Sequence, residues 1–265
     1  MFMSATNTEA SPGRRPGTDA DADAIRLDLR GIRRTFGETV ALNDVSMTVR
    51  AGTVHTILGE NGSGKSTLVK ILSGVLKPSR GSVQVGGREL VNASPRKARQ
   101  LGIATVFQEV LVAPNRTVTE NVLLGQDSWF RYSLKGAARA DAAQAALREL
   151  SGHPFDPRAS VGDLSLVQQH QVAIARALVL EPSVLVLDES TAALDIGERD
   201  LLFAAVRRRV QAGMAVVFIS HRMDEMLSLS DEVTVLRSGS RIATLQKNEL
   251  SERRLLALLN GEEGR

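Results

Sequence analysis

The sequence contains no cysteine among its 265 residues and few aromatic side chains, which make up 3% of the chain. The absence of cysteine excludes a disulfide framework and fits a reducing compartment without requiring one. No stretch approaches the roughly 18 uninterrupted apolar residues of a membrane span, so we expect no segment to cross a bilayer. No cluster of Lys or Arg with aromatic residues argues for nucleic acid as a partner. With so few aromatics, the core must rest on Val, Leu, Ile and Ala.

The composition indicates a globular domain preceded by a polar tail. Hydrophobic residues make up 43% of the chain and the net charge is +3. That is enough apolar material for one substantial domain or two tightly joined lobes. Residues 1–24 are rich in Ser, Pro, Gly, Thr and alternating Asp and Ala, and we expect them to be disordered. They contain no apolar stretch, so we do not expect them to form a secretory signal.

A glycine-rich motif of the form G-x-x-x-x-G-K-[ST] lies between a β-like run and a helical pattern that starts at Ser66. Its members are Gly59, Glu60, Asn61, Gly62, Ser63, Gly64, Lys65, Ser66 and Thr67. Gly62 and Gly64 let the backbone turn its N–H groups inward, where they and the positive end of the helix dipole can cradle phosphate. Lys65 offers charge to the β- and γ-phosphates, and the Ser66 hydroxyl can ligate Mg²⁺. The motif predicts a nucleoside triphosphate site.

The hydrophobic pattern predicts an α/β fold around this motif. Unbroken apolar runs at 184–187 and 215–219 are typical of parallel strands buried on both faces. Other patterns predict strands at 25–29, 45–49, 53–58, 82–85 and 103–107, a hairpin of 232–236 and 241–245, and helices within 117–150 and at 165–180, 198–211 and 251–259. The sum is a nucleotide-binding core with a β-rich N-terminal part and a helical insertion near residues 110–165.

The apolar run at 184–187 ends in two carboxylates, Asp188 and Glu189. The carboxyl end of a parallel strand is where open α/β sheets place their ligands. Asp188 is suited to hold Mg²⁺ through water, and Glu189 is suited to position and deprotonate an attacking water. The alternative interpretation is an acidic turn after a core strand. The glycine-rich motif at 59–67 makes this alternative much the weaker interpretation.

From Ile25 to about Gly261 the chain resembles the nucleotide-binding subunit of ABC transporters. The motifs follow the order of that family: the P-loop at 59–67, a Q-loop at 107–109, a signature region at 164–168, the Walker B carboxylates, a D-loop at 192–195 and a switch histidine, His221. The resemblance implies the ABC ATPase fold, a P-loop NTPase with a RecA-like parallel core, an N-terminal antiparallel β part and a helical subdomain inserted at about 110–165 of a domain spanning 25–261.

The resemblance also implies roles for single side chains, with ATP and Mg²⁺ as the ligands. Phe36 looks like the aromatic that stacks on adenine, and a buried core position is its alternative. Gln108 would reach Mg²⁺ and the attacking water, joining Ser66 and Asp188 at the metal. His221 would orient the γ-phosphate beside the base Glu189. Ser165, a plausible helix N-cap, would face the ATP of an opposite subunit, which implies a head-to-tail dimer with itself or with a second ABC ATPase.

The signature region departs from the family pattern L-S-G-G-Q, because Leu166 and Val167 stand where the two glycines would be. We expect Val167 to crowd the approach of backbone to the γ-phosphate. The altered signature resembles the monosaccharide importer branch, as do the stretches 52–62, 106–109, 119–121 and 218–225. Most members of that branch carry two such domains, so this chain looks like the single-domain form.

The resemblance implies an ATP-hydrolysing subunit that energises import of a monosaccharide or similar small polar solute. Its partners would be transmembrane permease subunits and, indirectly, a periplasmic or lipid-anchored solute-binding protein. Its place would be cytoplasmic, on the inner face of the cell membrane. Two alternatives stay open: a subunit that hydrolyses poorly and needs a second ATPase, and a soluble ABC ATPase with no link to transport.

Overall fold

The structure, a computed structural model, describes residues 24–125 and 136–262. The strands are β1 Ile25–Phe36, β2 Thr39–Arg50, β3 Val54–Leu58, β4 Arg80–Val85, β5 Arg88–Glu89, β6 Ile103–Val106, β7 Val184–Asp188, β8 Ala215–Ile219, β9 Glu232–Arg237 and β10 Ser240–Gln246. The helices are α1 Lys65–Leu72, α2 Pro95–Gln100, α3 Val118–Val122, α4 Gly136–Ser151, α5 Leu166–Val179, α6 Ile196–Gln211, α7 Met223–Leu229 and α8 Glu252–Asn260. Apart from Ala24, the tail predicted to be disordered lies outside the described residues.

A six-stranded sheet with the order β10-β9-β3-β8-β7-β6 forms the centre of the fold. All neighbours from β9 to β6 are parallel, and only β10 runs antiparallel to β9. Every residue of β3, β7 and β8 is buried. For β7 and β8 this is what their unbroken apolar runs predicted. Along β7, Val184 and Val186 face one core while Leu185 and Leu187 face the other. The sheet is therefore covered on both faces.

One face of this sheet is covered by α1 and by a four-stranded antiparallel sheet with the order β2-β1-β4-β5. Leu68, Ile71 and Leu72 of α1 pack in the same core as Leu27 and Leu29 of β1. The helix after the glycine-rich loop is thus held between two sheets, which fixes the direction of its N-terminus.

The other face is covered by helices. Residues of α3, α4, α5 and α6 share a core with the outward side chains of β6, β7 and β8. Of the predicted insertion at 110–165, the structure describes α3 and α4, while residues 126–135 lie outside the described residues. Within the two described ranges, no helix combines the length and the apolar character needed to cross a lipid bilayer.

Two differences from the sequence prediction have local causes. The first strand extends to Phe36 instead of ending at 29, because irregular register near Gly31 (φ 58°) lets β1 bend and continue pairing with β2. Helix α2 was not predicted, although Ser94 caps it by accepting the Lys97 N–H at 3.2 Å and Pro95 occupies its first turn. The predicted hairpin forms as β9 and β10, and β9 in addition joins the parallel sheet beside β3.

Candidate nucleotide site

The glycine-rich loop connects the end of β3 at Leu58 to the first residue of α1, Lys65. Gly64 has φ 102°, a conformation that side chains rarely adopt, and a Cβ there would lie 2.6 Å from Leu42 Cδ2 and 2.7 Å from the Ala41 carbonyl oxygen. Only glycine fits this position. The loop therefore keeps the narrow backbone turn that a phosphate cradle requires.

The Lys65 side chain lies along the loop. Its Nζ donates to the Gly59 carbonyl at 2.7 Å and to the Glu60 carbonyl at 2.9 Å. Burial lowers the pKa of Lys65, while the nearby carboxylates of Glu189 and Asp188 act in the opposite direction. The ammonium group is thus fixed beside two acidic side chains and directed into the site.

The hairpin at the far end of the chain supports the loop from behind. The Gly239 N–H, in the turn between β9 and β10, donates to the Ser63 carbonyl at 3.2 Å, and the Gly239 carbonyl accepts from the Asn43 N–H at 2.8 Å. This turn was predicted as a hairpin but not as a support for the site.

Asp188 ends β7 and is 8% exposed. Burial, and then the adjacent Glu189, raise the pKa of Asp188 from 3.8 to about 6, while Lys65 and Lys70 act to lower it. Burial deprives the charged form of this carboxyl group of solvation by water, and a bound cation would stabilise that charged form.

Glu189 lies beside Gln108 and His221. The Gln108 Nε2 donates to Glu189 Oε2 at 3.0 Å, and His221 Nδ1 lies 3.6 Å from the same oxygen. Glu189 has φ 46°, which is uncommon for a residue with a side chain. The structure therefore brings together the three side chains predicted to be catalytic.

These residues line one open cleft of about 730 Å³. Of the predicted residues, it is lined by Phe36, Asn61, Gly62, Gly64, Lys65, Ser66, Thr67, Gln108, Asp188, Glu189 and His221. Gly59, Glu60 and Ser63 are not among the lining residues, and the first two act through the carbonyls that hold Lys65. Thr39, Val40 and Ala41 of β2 also line the cleft and were missed, because a β-strand pattern gives no sign of which ligand it approaches.

Phe36 is 48% exposed at the end of β1, so the core position considered as its alternative is excluded. The Arg34 guanidinium carbon lies 4.7 Å from the centroid of the Phe36 ring. Arg34 therefore occupies one face of the ring and holds it at the rim of the cleft.

The donor set fits Mg²⁺. The Ser66 hydroxyl, the Gln108 amide and the Asp188 carboxylate are hard oxygen ligands that line the same cleft. Within the described part of the chain, no cluster of three or more His, Cys, Asp or Glu side chains could hold a metal on its own. Mg²⁺ commonly binds proteins through only one or two carboxylates and completes its shell with phosphates and water.

The family model for ABC transporters matches residues 42–192, which include the loop, Gln108 and both carboxylates. This chain belongs to the ABC transporter family. The ABC ATPase fold expected from the sequence is confirmed by solved cassettes. An ATP-binding cassette in its ADP conformation, MJ1267, matches with a TM-score of 0.75 and 31% identity over 89% of this chain and 99% of its own. The dimeric cassette MJ0796 matches with a TM-score of 0.76 and 26% identity over 83% and 98%.

The resemblance to the monosaccharide importer branch is also supported by a curated relative of this ABC protein. A "putative ribose/galactose/methyl galactoside import ATP-binding protein" of Agrobacterium fabrum is 40% identical over 242 residues, which are 91% of this chain and 48% of the relative. The chain spans about half the length of the curated relatives it matches.

The signature segment of this cassette lies apart from the cleft. Of the described residues that line the cleft, none belongs to 164–168. Ser165 is the N-cap of α5: its Oγ accepts the Gln168 N–H at 3.2 Å, and the Gln168 side chain accepts the Ser165 N–H at 3.0 Å. The Ser165 hydroxyl proton is not used in this capping box, so it can still be donated to an external acceptor.

Leu166 and Val167, the two departures from the family signature, differ in their surroundings. Leu166 is 62% exposed, whereas Val167 is half-buried and packs against the helical core. The expectation that Val167 crowds an incoming phosphate stays a prediction. At the N-terminus of α5, Leu166 is therefore the more exposed of the two side chains, and Val167 is partly covered by the helical core.

Proposed function

We propose that this chain is an ATP-hydrolysing subunit that energises an ABC importer for a monosaccharide or a similar small polar solute. The observation that carries the proposal is the convergence of the loop lysine, two carboxylates, Gln108 and His221 in one cleft. Binding of ATP and Mg²⁺, the residue roles and the domain limits of 25–261 are parts of this proposal.

In the proposed reaction, the loop and Lys65 bind the β- and γ-phosphates and Phe36 stacks on the adenine ring. Mg²⁺, held by Ser66, Asp188 and Gln108, would neutralise charge that develops on the phosphates. The oxygen of a water attacks the γ-phosphorus while Glu189 takes a proton from that water. The bond between the γ-phosphorus and the bridging oxygen breaks, so that ADP leaves with that oxygen and inorganic phosphate is the other product. Gln108 and His221 both lie next to the same carboxylate oxygen of Glu189, Oε2. In the proposal, these two neighbours keep the Glu189 carboxylate oriented toward the attacking water.

A second copy, or another ABC ATPase, would complete the site in a head-to-tail dimer. The cleft is open and contains no signature residue, while the capped N-terminus of α5 presents Ser165 elsewhere on the surface. The dimeric structure of the similar cassette MJ0796 supports this arrangement.

The permease is proposed to dock near the Q-loop. A groove of about 240 Å³ there is lined by Phe107, Glu109 and Leu111, with Arg176 as a charged lining residue. Leu111 and Leu124 at this groove are large apolar side chains about half exposed to solvent. This docking would place the chain on the cytoplasmic face of a membrane, with a solute-binding protein acting on the far side.

The proposal is tested by steady-state ATP hydrolysis at rising protein concentration, with and without Mg²⁺. Lys65→Ala is the control, because it removes the ammonium group held at the loop. We expect turnover to rise more than linearly with concentration and to vanish in the control. Nucleotide binding without turnover at any concentration would favour the second candidate, a poorly hydrolysing subunit, which the exposed Leu166 in the signature supports.

The solute class is tested by uptake. In the host strain lacking this gene, wild-type protein should restore entry of labelled ribose, xylose or fructose, and Glu189→Gln should not. Restored uptake of an amino acid instead would keep the ATPase and overturn the monosaccharide. No effect on any solute would favour an ATPase without a link to transport.

A further inference from the structure

One buried carboxylate joins the two loops that carry Glu189 and His221. Glu225, in α7, is 0% exposed, and its Oε2 accepts two hydrogen bonds of 2.7 Å, one from Thr191 Oγ1 and one from Ser220 Oγ. Thr191 lies two residues after Glu189, and Ser220 directly precedes His221. Hydroxyl-to-carboxylate bonds of this length belong to the stronger, charge-assisted class.

The same carboxylate also anchors the residue that follows the histidine. Glu225 Oε1 lies 3.2 Å from Arg222 Nη1, and the Arg222 N–H donates to Ser220 Oγ at 3.1 Å. His221 is therefore flanked on both sides by residues tied to Glu225. Its own side chain is 64% exposed, so its orientation depends on its backbone more than on packing around the ring.

The loops that carry Glu189 and His221 have little backbone pairing to each other, so the hydrogen bonds to Glu225 are needed to connect them. Strands β7 and β8 pair up to Asp188 and Ile219, and the Glu189 N–H extends the pairing by one bond of 2.9 Å to the Ile219 carbonyl. Strand pairing ends at that point, while the proposed chemistry requires Glu189 and His221 to stay within reach of the same water. The backbone of Glu189 is moreover in a conformation (φ 46°) that surrounding contacts must maintain.

We propose that Glu225 is a positioning residue for hydrolysis: through Thr191 and Ser220 it fixes the distance between the base and the histidine. This inference rests on the proposed function. Glu225 is not among the residues that line the cleft, so it acts through the loops and not on the nucleotide.

The test removes each tie while leaving the carboxylate in place. Thr191→Val cuts the link to the Glu189 loop and Ser220→Ala cuts the link to the His221 loop. Thr56→Val is the matched control, because Thr56 is also 0% exposed and loses a comparable bond of 2.6 Å to Ser230 Oγ. Since small displacements of reacting groups can cost about 100-fold in rate, we expect kcat to fall roughly 10- to 100-fold in the two test variants, with KM for ATP within about twofold. The control should keep its kcat.

A double-mutant cycle separates positioning from general destabilisation. If Thr191 acts by holding the base against the histidine, adding Thr191→Val to His221→Ala should lower single-turnover hydrolysis little further. Additive losses, an unchanged kcat in both test variants, or an equal loss in Thr56→Val would each overturn the proposal.

Amide hydrogen exchange tests the tie without turnover. Because losing one such bond weakens local structure modestly, Thr191→Val should speed exchange of the Arg222 and Glu189 amides by about five- to tenfold relative to Thr56→Val. A wild-type protein that does not hydrolyse ATP would contradict the proposed function. The amide exchange rates would still show whether Glu225 connects the two loops. Unchanged exchange at both amides would refute the tie even in an active enzyme.

Discussion

Replacing Asp188 with asparagine should stabilise the nucleotide-free protein while removing its response to Mg²⁺. The Asp188 carboxyl is 8% exposed and lies beside Glu189, and burial together with this neighbour raises its pKa from 3.8 to about 6. A carboxyl whose pKa is raised by folding binds its proton more tightly in the folded state. Its ionisation therefore lowers the free energy of unfolding at every pH above the folded-state pKa, and this cost disappears as the pH falls toward 3.8.

The magnitude follows from the shift. About two pKa units at roughly 1.36 kcal/mol each amount to about 3 kcal/mol. Water that reaches the open cleft screens part of this, so we expect the Asp188→Asn substitution to raise the free energy of unfolding by about 2 kcal/mol at pH 8. Near pH 4.5 the carboxyl group of Asp188 is mostly protonated in the folded protein. Linkage therefore predicts that the difference in free energy of unfolding between variant and wild type is smaller there by about two thirds.

The assay is equilibrium urea unfolding of both proteins without nucleotide, at pH 8 and pH 4.5. Comparing the variant with the wild type at each pH cancels the titration of groups that are distant from Asp188. Asp163→Asn, a change at an exposed carboxylate, should leave the stability unchanged. ATP should stabilise both proteins, and adding Mg²⁺ should stabilise only the wild type further. A variant no more stable than wild type at pH 8, or a difference that does not depend on pH, would refute the reasoning.

Three further outcomes are expected. Glu189→Gln should bind ATP normally, lose turnover by at least about 100-fold and accumulate as a nucleotide-held dimer, measured by light scattering; wild-type-like hydrolysis would remove Glu189 from the role of base. Leu166→Gly should raise kcat several-fold, whereas Val167→Gly should lower the melting temperature through lost packing, because only Leu166 is exposed; the reverse pattern would restore Val167 as the crowding residue. Phe36→Ala should weaken ATP binding by about 1–3 kcal/mol and Phe36→Trp should preserve it, measured by calorimetry; equal affinities in the two variants would exclude stacking.

Much of the fold could be predicted from the sequence, because two of the central strands are unbroken apolar runs. Residues 184–187 and 215–219 became β7 and β8 with almost unchanged limits. Short elements were harder to predict, and α7, for example, has no side-chain cap that would mark its start. The order of the strands was also hard to predict, because the neighbours of β3 come from distant parts of the chain. Local patterns carry little information about such long-range pairing.

The candidate site was predicted largely from motifs whose chemistry demands particular residues, such as the loop lysine and the paired carboxylates. The sequence did not reveal that Val167 packs partly against the helical core, since such packing depends on elements that are distant in the chain. It also did not single out Glu225, because a glutamate within a short helix normally indicates an exposed position.

The order of strands has a consequence for synthesis on the ribosome. Strand β3, which leads into the phosphate loop, pairs with β8 and β9, and the turn at Gly239 supports Ser63 from behind. All of these partners lie more than 150 residues later in the chain. A nascent chain that already contains the complete glycine-rich motif therefore lacks both strands with which β3 pairs. Nucleotide capture should be among the last properties that the growing polypeptide acquires, after residue 239 has emerged.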